Sequence, residues 1–569
     1  MHFPTTEPRK SLYYTYQVYP YFHSQQTVVT DEKTVTVVGA GPIGMTTALL
    51  LAKQGVKVIL LSAERQLSEG SRALVYTKRS MEILKAAGAA DRIMSKALPW
   101  THGNSIYKGQ VCFRMESPVS EHDQFYPLNN LQQNWLEHYL LETIQDHENI
   151  EVRWGNKVVA QQQDGQTVTL TVHTPEGEYQ HVSSWVVAAD GGRSPIRESM
   201  KLWMEGASYE GRFVIADIRI KLDYPTERLA YFSPDWNPGN TILMHREPDS
   251  IWRFDYQLDP EISAEEALQP ENLTKAVNDQ LKMIGQDHLE WEMDWSTVYS
   301  ARALTLDNYV YNRIMFVGDA AHLLPIFGVR GANTGFQDAQ DLSWKLAGVV
   351  HGWAPEKLLE SYTFDRVGAA REIIAEAGKS TRFMAPPTHG FRLLRNAVLS
   401  LSLEHEFVRP LYHWRTSRPH AYTHSPLNSQ FDDNAQMNEI TENGALIPNV
   451  KFADGSFLYD VISGQFTVLA LTEQGQIDTR LLAEVDQLKA QGVPVQVVAL
   501  AIDGQDVAGV ARTLNIDLDI ARERFYANAG AVYLVRPGHH INGRWLNYRE
   551  NALTQTFHQF LSTAEGVAV

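Results

Sequence analysis

Apolar and polar positions follow two different periods along the chain, and their order predicts its architecture. Residues 34–38, Thr-Val-Thr-Val-Val, form a β-branched run. The run passes through Gly39-Ala40-Gly41-Pro42-Ile43-Gly44 into the apolar stretch 45–51. Strand, tight turn and buried helix are predicted in that succession. Further strands are expected over 56–61, 184–189 and 312–317, and a helix over 77–87. Between about 206 and 300 the period shortens. Residues 213–220, 241–245 and 251–258 are strand-like, and the last sets Trp252, Phe254 and Tyr256 against Arg253, Asp255 and Gln257. That alternation predicts an antiparallel sheet with one aromatic face. Helical periodicity fills 344–403 and breaks at Pro386-Pro387. Residues 426–448, rich in Asn, Asp, Ser and Gln, read as a linker or surface crossing. Beyond them strands (466–471, 493–501, 530–535) alternate with helices (479–491, 506–514), which predicts a small, separate α/β domain.

Length and composition narrow the classes. At 569 residues the chain exceeds one ordinary core. A formal charge of -17 argues against nucleic acid or an anionic membrane surface as a partner. No apolar run is long enough to predict a transmembrane helix. The segment 13–22 is tyrosine-rich and lacks an apolar signal core, so an N-terminal extension (1–33) packing its tyrosines on the body is expected, with cytoplasmic residence. The single cysteine, Cys112, excludes an intrachain disulfide or thiolate cluster and reads as a buried apolar residue. No metal-ligand spacing occurs among the scattered histidines, and His539-His540 sits in an expected Pro-Gly turn.

The candidate chemistry lies in three motifs. In G-x-G-x-x-G, Gly39 allows the turn and Gly41 lets backbone approach a pyrophosphate. Gly44 lets helix and strand pack, and Pro42 opens a helix whose N-terminus favours anions. An acid about 20 residues on would take ribose hydroxyls. Ser62 stands at that position and Glu64 two residues later, so either is the contact, or Glu64 lies in a solvated turn. In the second motif a strand breaks at Gly318 and presents Asp319, able to accept a polyol hydroxyl. Pro325 and the helix opening at 328–339 follow it, and their small residues let backbone N–H groups meet an electron-rich ring edge. The third motif, Asp190-Gly191-Gly192-Arg193-Ser194-Pro195-Ile196-Arg197, follows the strand 184–189. Alone it would be an ordinary turn.

Together these motifs resemble the FAD-dependent aromatic hydroxylases, the single-component (group A) flavoprotein monooxygenases. The family's G-D-A-A-H-x-x-P-P-x-G-x-x-G-x-N-x-G signature is present at 318–335, with Ile326 in place of its second proline. The family's D-G-x-x-S-x-x-R fingerprint is present at 190–197. The resemblance covers roughly 34–425. It implies a discontinuous Rossmann-type FAD-binding domain (34–105, 150–205 and 301–370) with an inserted β-sheet substrate domain roofing the pocket. Trp252, Phe254 and Tyr256 then become substrate contacts. Arg72 would reach the flavin region, and Gln133 or Gln132 would contact FAD. Pro325 and the Gly331-Ala332-Asn333 backbone would shape the flavin site, with His322 nearby in a structural or chemical role. Residues 449–569 resemble the thioredoxin-like C-terminal domain of some members. Lacking redox cysteines, this domain is left with support and oligomer contacts, a homodimer among them. The activity implied is hydroxylation of a phenolic or other electron-rich ring with O₂ through a C4a-hydroperoxyflavin. NADH or NADPH would act as a transient reductant, because there is no second strand–G-x-G-x-x-G–helix. A flavin epoxidase or reductase on a non-aromatic substrate, or a non-catalytic flavoprotein, stays open. No general base is legible.

Overall fold

The computed structural model describes residues 1–325, 327–412 and 418–561; Ile326 lies outside them. Parallel strands build the first of two eight-stranded sheets, in the order Ile314–Phe316, Gly177–Ala188, Val28–Val38, Val58–Leu61, Ile150–Arg153. Their central residues, Val35, Val37, Leu60, Val186 and Met315, are fully buried. The helix Pro42–Lys53 crosses from the first strand to the second and packs against Gly331–His351. A sheet covered on both faces in this way reads as continuous apolar runs. The first strand begins at Val28, six residues before the expected run, and shifts register between Asp31 and Val35.

The N-terminal extension does pack on the body. Tyr14 and Tyr16 are buried, and Tyr19 stacks on Trp154 at 4.7 Å. It runs along residues 62–72: Tyr19 N donates to the Arg65 carbonyl at 2.7 Å and Tyr16 Oη to the Ser68 carbonyl at 3.0 Å. Cys112 is buried as expected, with Sγ 2.9 Å from the Tyr412 hydroxyl.

The second sheet, mostly antiparallel, lies over the ends of the first and forms a roof. Its strands include Glu205–Ile220, Arg228–Phe232, Thr241–Arg246, Ile251–Leu258 and Trp291–Thr305. The alternation at 251–258 is present, but the aromatic face points away from the first sheet. Trp252 and Phe254 pack with Val277 and Leu281, and Tyr256 with Leu273 and Ala276, all on the helix Pro270–Met283. Trp252, Phe254 and Tyr256, expected as substrate contacts, are therefore packed in the core between this sheet and that helix. That helix spaces Leu273, Ala276, Val277, Gln280 and Leu281 on one face, and it supplies the apolar partner the aromatic face needs. Arg253, Asp255 and Gln257 lie on the opposite, inward face.

Helices Gly331–His351, Glu360–Met384 and His389–Ser402 follow, and Pro386-Pro387 falls in the last break. Residues 426–448 are pinned to the last unit, with Ser429 N donating to the Asn542 carbonyl at 2.6 Å and Asp433 N to that of Arg544 at 3.0 Å. That unit is a five-stranded mixed sheet centred on Phe466–Thr472, which pairs parallel with Val495–Ala501 and antiparallel with Val532–Val535. The helix expected over 506–514 does not form. Gly504 and Gly509 take φ of +74° and +78°, outside the right-handed helix, and Arg512–Asn515 is an edge strand. His539 and His540 are buried in a tight turn, with His539 stacked on Tyr459 at 4.0 Å.

Truncating Trp252, 1% exposed, removes the largest side chain from the aromatic face. Trp252→Ala is expected to cost about 3–5 kcal/mol of stability, measured by urea unfolding. A variant of native stability with altered substrate affinity would restore the substrate-contact assignment.

Candidate active site

Four parallel strands end side by side at Val38, Leu61, Ala188 and Phe316. Ligands of open α/β sheets lie just beyond such ends. Gly39 takes φ +111°, and a Cβ there would stand 2.3 Å from the Ala189 carbonyl oxygen. A Cβ on Gly44 would stand 1.8 Å from the Gly39 oxygen, so helix, strand and turn are in direct contact. Gly41 differs: its backbone is extended, and a Cβ would meet nothing within 4 Å. No side chain caps the helix that Pro42 begins. Its first-turn N–H groups and dipole are left facing open space, the arrangement a pyrophosphate fits.

The Gly318 motif docks on the same helix. Cβ atoms on Gly318 and Gly335 would lie 3.1 Å and 2.7 Å from Ile43 Cγ1, so Ile43 is wedged between them. Asp319 reaches solvent although protein surrounds it. That enclosure raises its carboxyl above the ordinary range against the pull of His322, Arg197 and Arg72. Arg72 is also exposed and acts on the same carboxylate. Asp190 accepts from the Ile196 N–H at 3.2 Å at the start of the short helix Pro195–Ser199, whose N-cap is Ser194. Burial pushes its carboxyl up to about 6, with Ser194 and Ile196 pulling down, and its Oδ1 is buried without a hydrogen bond. Arg197 ties the motifs together, donating to the Ala320 carbonyl at 2.9 Å and to that of Gly192 at 2.6 Å.

Several candidate side chains hold the site instead of facing it. His322 is buried, with Nε2 2.7 Å from Asp338 Oδ2. Asp338 also accepts from the Gly318 N–H at 3.0 Å and from Arg366 Nε at 2.7 Å. Burial pushes Asp338 up, but His322 and Arg366 outweigh it and leave the carboxyl below its usual range. Asn333 spends its amide on Thr77, Ser80, Val75 and Val329, so only its backbone, with that of Gly331 and Ala332, is available at the start of its helix. Gln133 accepts from the Ala73 N–H at 3.0 Å and donates to Glu137 at 2.9 Å, fixing the segment that carries Arg72. Gln132 donates instead to the Pro248 carbonyl. Ser62 is buried at the end of its strand, while Glu64 lies 3.9 Å from Arg9 of the N-terminal extension. Pro325 follows Leu324 on the stretch that leads to Phe327.

The sequence singled out neither Arg366 nor the roles of Asp338 and Arg197 as struts. Asp338 lies in the glycine-rich helix start, but no spacing rule links it to Arg366.

The inward face of the roof is bonded to the Arg72 segment. Arg253 makes a bidentate pair with Asp217 at 2.8 and 3.0 Å and donates to the Arg72 carbonyl at 3.1 Å. Ser71 Oγ donates to Glu247 at 3.2 Å. On the other side Phe213 meets Phe327 edge-on at 5.2 Å, and the Tyr299 hydroxyl donates to the Leu324 carbonyl at 3.3 Å.

The sequence profile of the FAD binding domain family matches residues 32–377, and the chain belongs to that family. Among its relatives is the 3-(3-hydroxy-phenyl)propionate/3-hydroxycinnamic acid hydroxylase of Burkholderia cenocepacia (strain HI2424). It is 27% identical over 444 residues, covering 77% of this chain and 79% of that protein. Among solved structures, the flavin-dependent monooxygenase PieE in complex with FAD and substrate has a TM-score of 0.78 at 21% identity, over 94% of this chain and 99% of that one. Aklavinone-11 hydroxylase with FAD and aklavinone has a TM-score of 0.74 at 24% identity, over 93% and 99%. The fold is therefore that of the flavin-dependent monooxygenases across nearly the whole chain, and FAD is its cofactor.

Two glycines of the turn, Gly41 and Gly44, separate binding from folding. Gly41→Ala should leave the apoprotein's thermal unfolding unchanged and weaken FAD binding by about 1.5–3 kcal/mol, the worth of a charge-assisted hydrogen bond. Gly44→Ala should destabilise the apoprotein itself, by about 1–3 kcal/mol through overpacking. Apoprotein unfolding and FAD titration measure both, and a Gly41→Ala variant with full FAD affinity would contradict the cradle.

Proposed function

We propose that the protein is an NAD(P)H- and O₂-dependent flavin monooxygenase that hydroxylates a phenolic or other electron-rich aromatic compound. The observation that carries this reading is the exposed Asp319 and Arg72 beside the uncapped helix N-terminus, with the inward face of the roof bonded to the Arg72 segment. The helix end presents dinucleotide-binding backbone, and the roof presents side chains able to hold a flat, polar ring. The name of the Burkholderia relative supports a hydroxylated aromatic acid as the substrate class.

FAD, when bound, supplies the electron storage and oxygen activation that this reaction requires. The chain's part is to bind, orient and exclude water. The N–H groups beyond Gly39, Gly41, Pro42 and Gly44 would hold the pyrophosphate, and Asp319 would accept a ribityl hydroxyl. Ser62 is the better-placed ribose contact, because Glu64 faces Arg9. Asp190 and Gly318 fix the motif turns, and Arg72, held by Gln133 and Arg253, would lie along the flavin. Pro325 and the backbone of Gly331, Ala332 and Asn333 would border the reacting ring. His322 holds Asp338 and acts as a positioning residue. Phe213, Ile215 and Leu243 on the inward face would keep water from the reacting atoms.

With one glycine turn committed to FAD, NADH or NADPH would bind transiently. That dependence on a metabolic reductant supports a cytoplasmic setting. The mixed sheet of the C-terminal unit supports the thioredoxin-like reading, with a structural role that extends to homodimer contacts.

A screen of phenols and hydroxylated aromatic acids, 3-(3-hydroxyphenyl)propionate among them, tests the reading. At least one compound should stimulate NAD(P)H oxidation several-fold, with oxygen-18 passing from O₂ into the product. Stimulated oxidation without label would favour a reductase, and no stimulation by any compound would favour a non-catalytic flavoprotein.

A further inference from the structure

Four strands of the roof place ionisable groups on its inward face, all of them buried: Asp217, Arg228, His245, and Arg253 with Asp255, with Glu247 just after the third strand. Most have structural work. Arg253 is committed to Asp217 and to the Arg72 carbonyl, and Glu247 takes the Ser71 hydroxyl while lying 3.5 Å from Arg253.

Asp255 has no such work. Its Oδ1 is buried and accepts no hydrogen bond among the described residues. The nearest cationic atoms are too far to bond: Arg253 Nε is 4.0 Å from Oδ1, and His245 Nε2 is 4.0 Å from Oδ2. His245 Nδ1 is likewise buried and without a hydrogen bond. Leaving a buried carboxylate oxygen without a donor is costly, and such a group calls for a ligand or another explanation.

The position suits a ligand. Asp255 pairs across the sheet with Ile215 on one side and Leu243 on the other, so apolar surface frames it. Along the same face, Arg253 reaches the Arg72 segment, and Phe213 reaches Phe327. Asp255 thus sits on that face between the contacts to these two segments, which border the proposed flavin position.

We propose that Asp255 is the catalytic base that accepts the proton of the substrate's phenolic hydroxyl. This rests on the hydroxylase reading above. The phenol O–H bond breaks, a new O–H bond forms at Oδ1, and the electron pair stays on the phenolic oxygen. No electrons are gained or lost. The phenolate pushes density into the ring positions ortho and para to it, which activates them towards an electrophilic oxygen. The nearby Arg253 guanidinium favours the anion.

Burial raises the Asp255 carboxyl to about 7, with Arg253 pulling it down and Asp217 pushing it up. A base works best with its pKa close to the working pH. His245 is neutral in this setting, because burial, Arg228 and Arg253 hold its pKa well below the ordinary value. Below about pH 7 Asp255 is protonated and cannot take the proton; above it the carboxylate is available.

The test uses oxidised holoenzyme and the phenol that best stimulates NAD(P)H oxidation. Its phenolate absorbance is followed against pH. On the enzyme, the phenolate band should appear with a midpoint below that of the free phenol, which titrates near about 10. Asp255→Asn should bind the phenol, lose the band across this range and lose about 10²–10⁴-fold in kcat. An Asp255→Asn enzyme that keeps both the band and its midpoint overturns the assignment. Should that variant fail to retain FAD, the wild-type titration decides alone, and a bound phenol that titrates no lower than the free phenol overturns it. Either result leaves the hydroxylase reading standing. If no phenol stimulates NAD(P)H oxidation, both readings fall.

Discussion

The site depends on one close approach. The helix Pro42–Lys53 begins so near the first sheet that neither Gly39 nor Gly44 has room for a Cβ, and Ile43 is wedged between Gly318 and Gly335. That contact brings three sequence motifs to the end of one sheet. It aligns Asp319, the Asp190 turn and the uncapped helix N-terminus around a single space. Packing, and not any ligand contact, sets these distances. The same geometry that would position a dinucleotide is therefore the one that closes the core of the domain.

A second layer of interactions fixes the moving parts around that space. Asp338 joins the Gly318 turn to His322 and Arg366, while Arg197 crosses from the Asp190 turn to Ala320. The segment carrying Arg72 is held from three directions: Gln133 from below, Arg253 and Glu247 from the roof, and the tyrosines of the N-terminal extension from outside. The extension also meets the two ribose candidates unequally, since Arg9 faces Glu64 and leaves Ser62 to the strand end. Buried hydrogen-bond networks of this kind rigidify a site when every member is satisfied. Here several members are not: Asp255 and Asp190 each have one buried oxygen without a donor, as does Glu247, and His322 Nδ1 is buried without a partner among the described residues.

Much of this was legible in the order of residues, because glycine positions and strand-breaking motifs carry their geometry locally. The turn at 39–44, the break at 318 and the Asp-Gly turn at 190 needed no distant information. The aromatic strand did. Alternation at 251–258 showed two faces, but which face is core depends on the helix Pro270–Met283, whose apolar stripe covers Trp252, Phe254 and Tyr256. The polar face was left inside, and with it Asp255. The 506–514 segment failed for a local reason that the pattern hid: Gly509 within it, like Gly504 just before it, adopts a left-handed φ outside the right-handed helix. The struts Asp338–Arg366 and Arg253–Asp217 join positions far apart in the chain, and no periodicity reports them.

The most direct test of the account is to identify what the purified full-length chain carries. Mild denaturation should release stoichiometric FAD, since every cradle contact described here is non-covalent backbone or side-chain hydrogen bonding. Release of NAD alone, or a flavin that stays with the denatured chain, would contradict it.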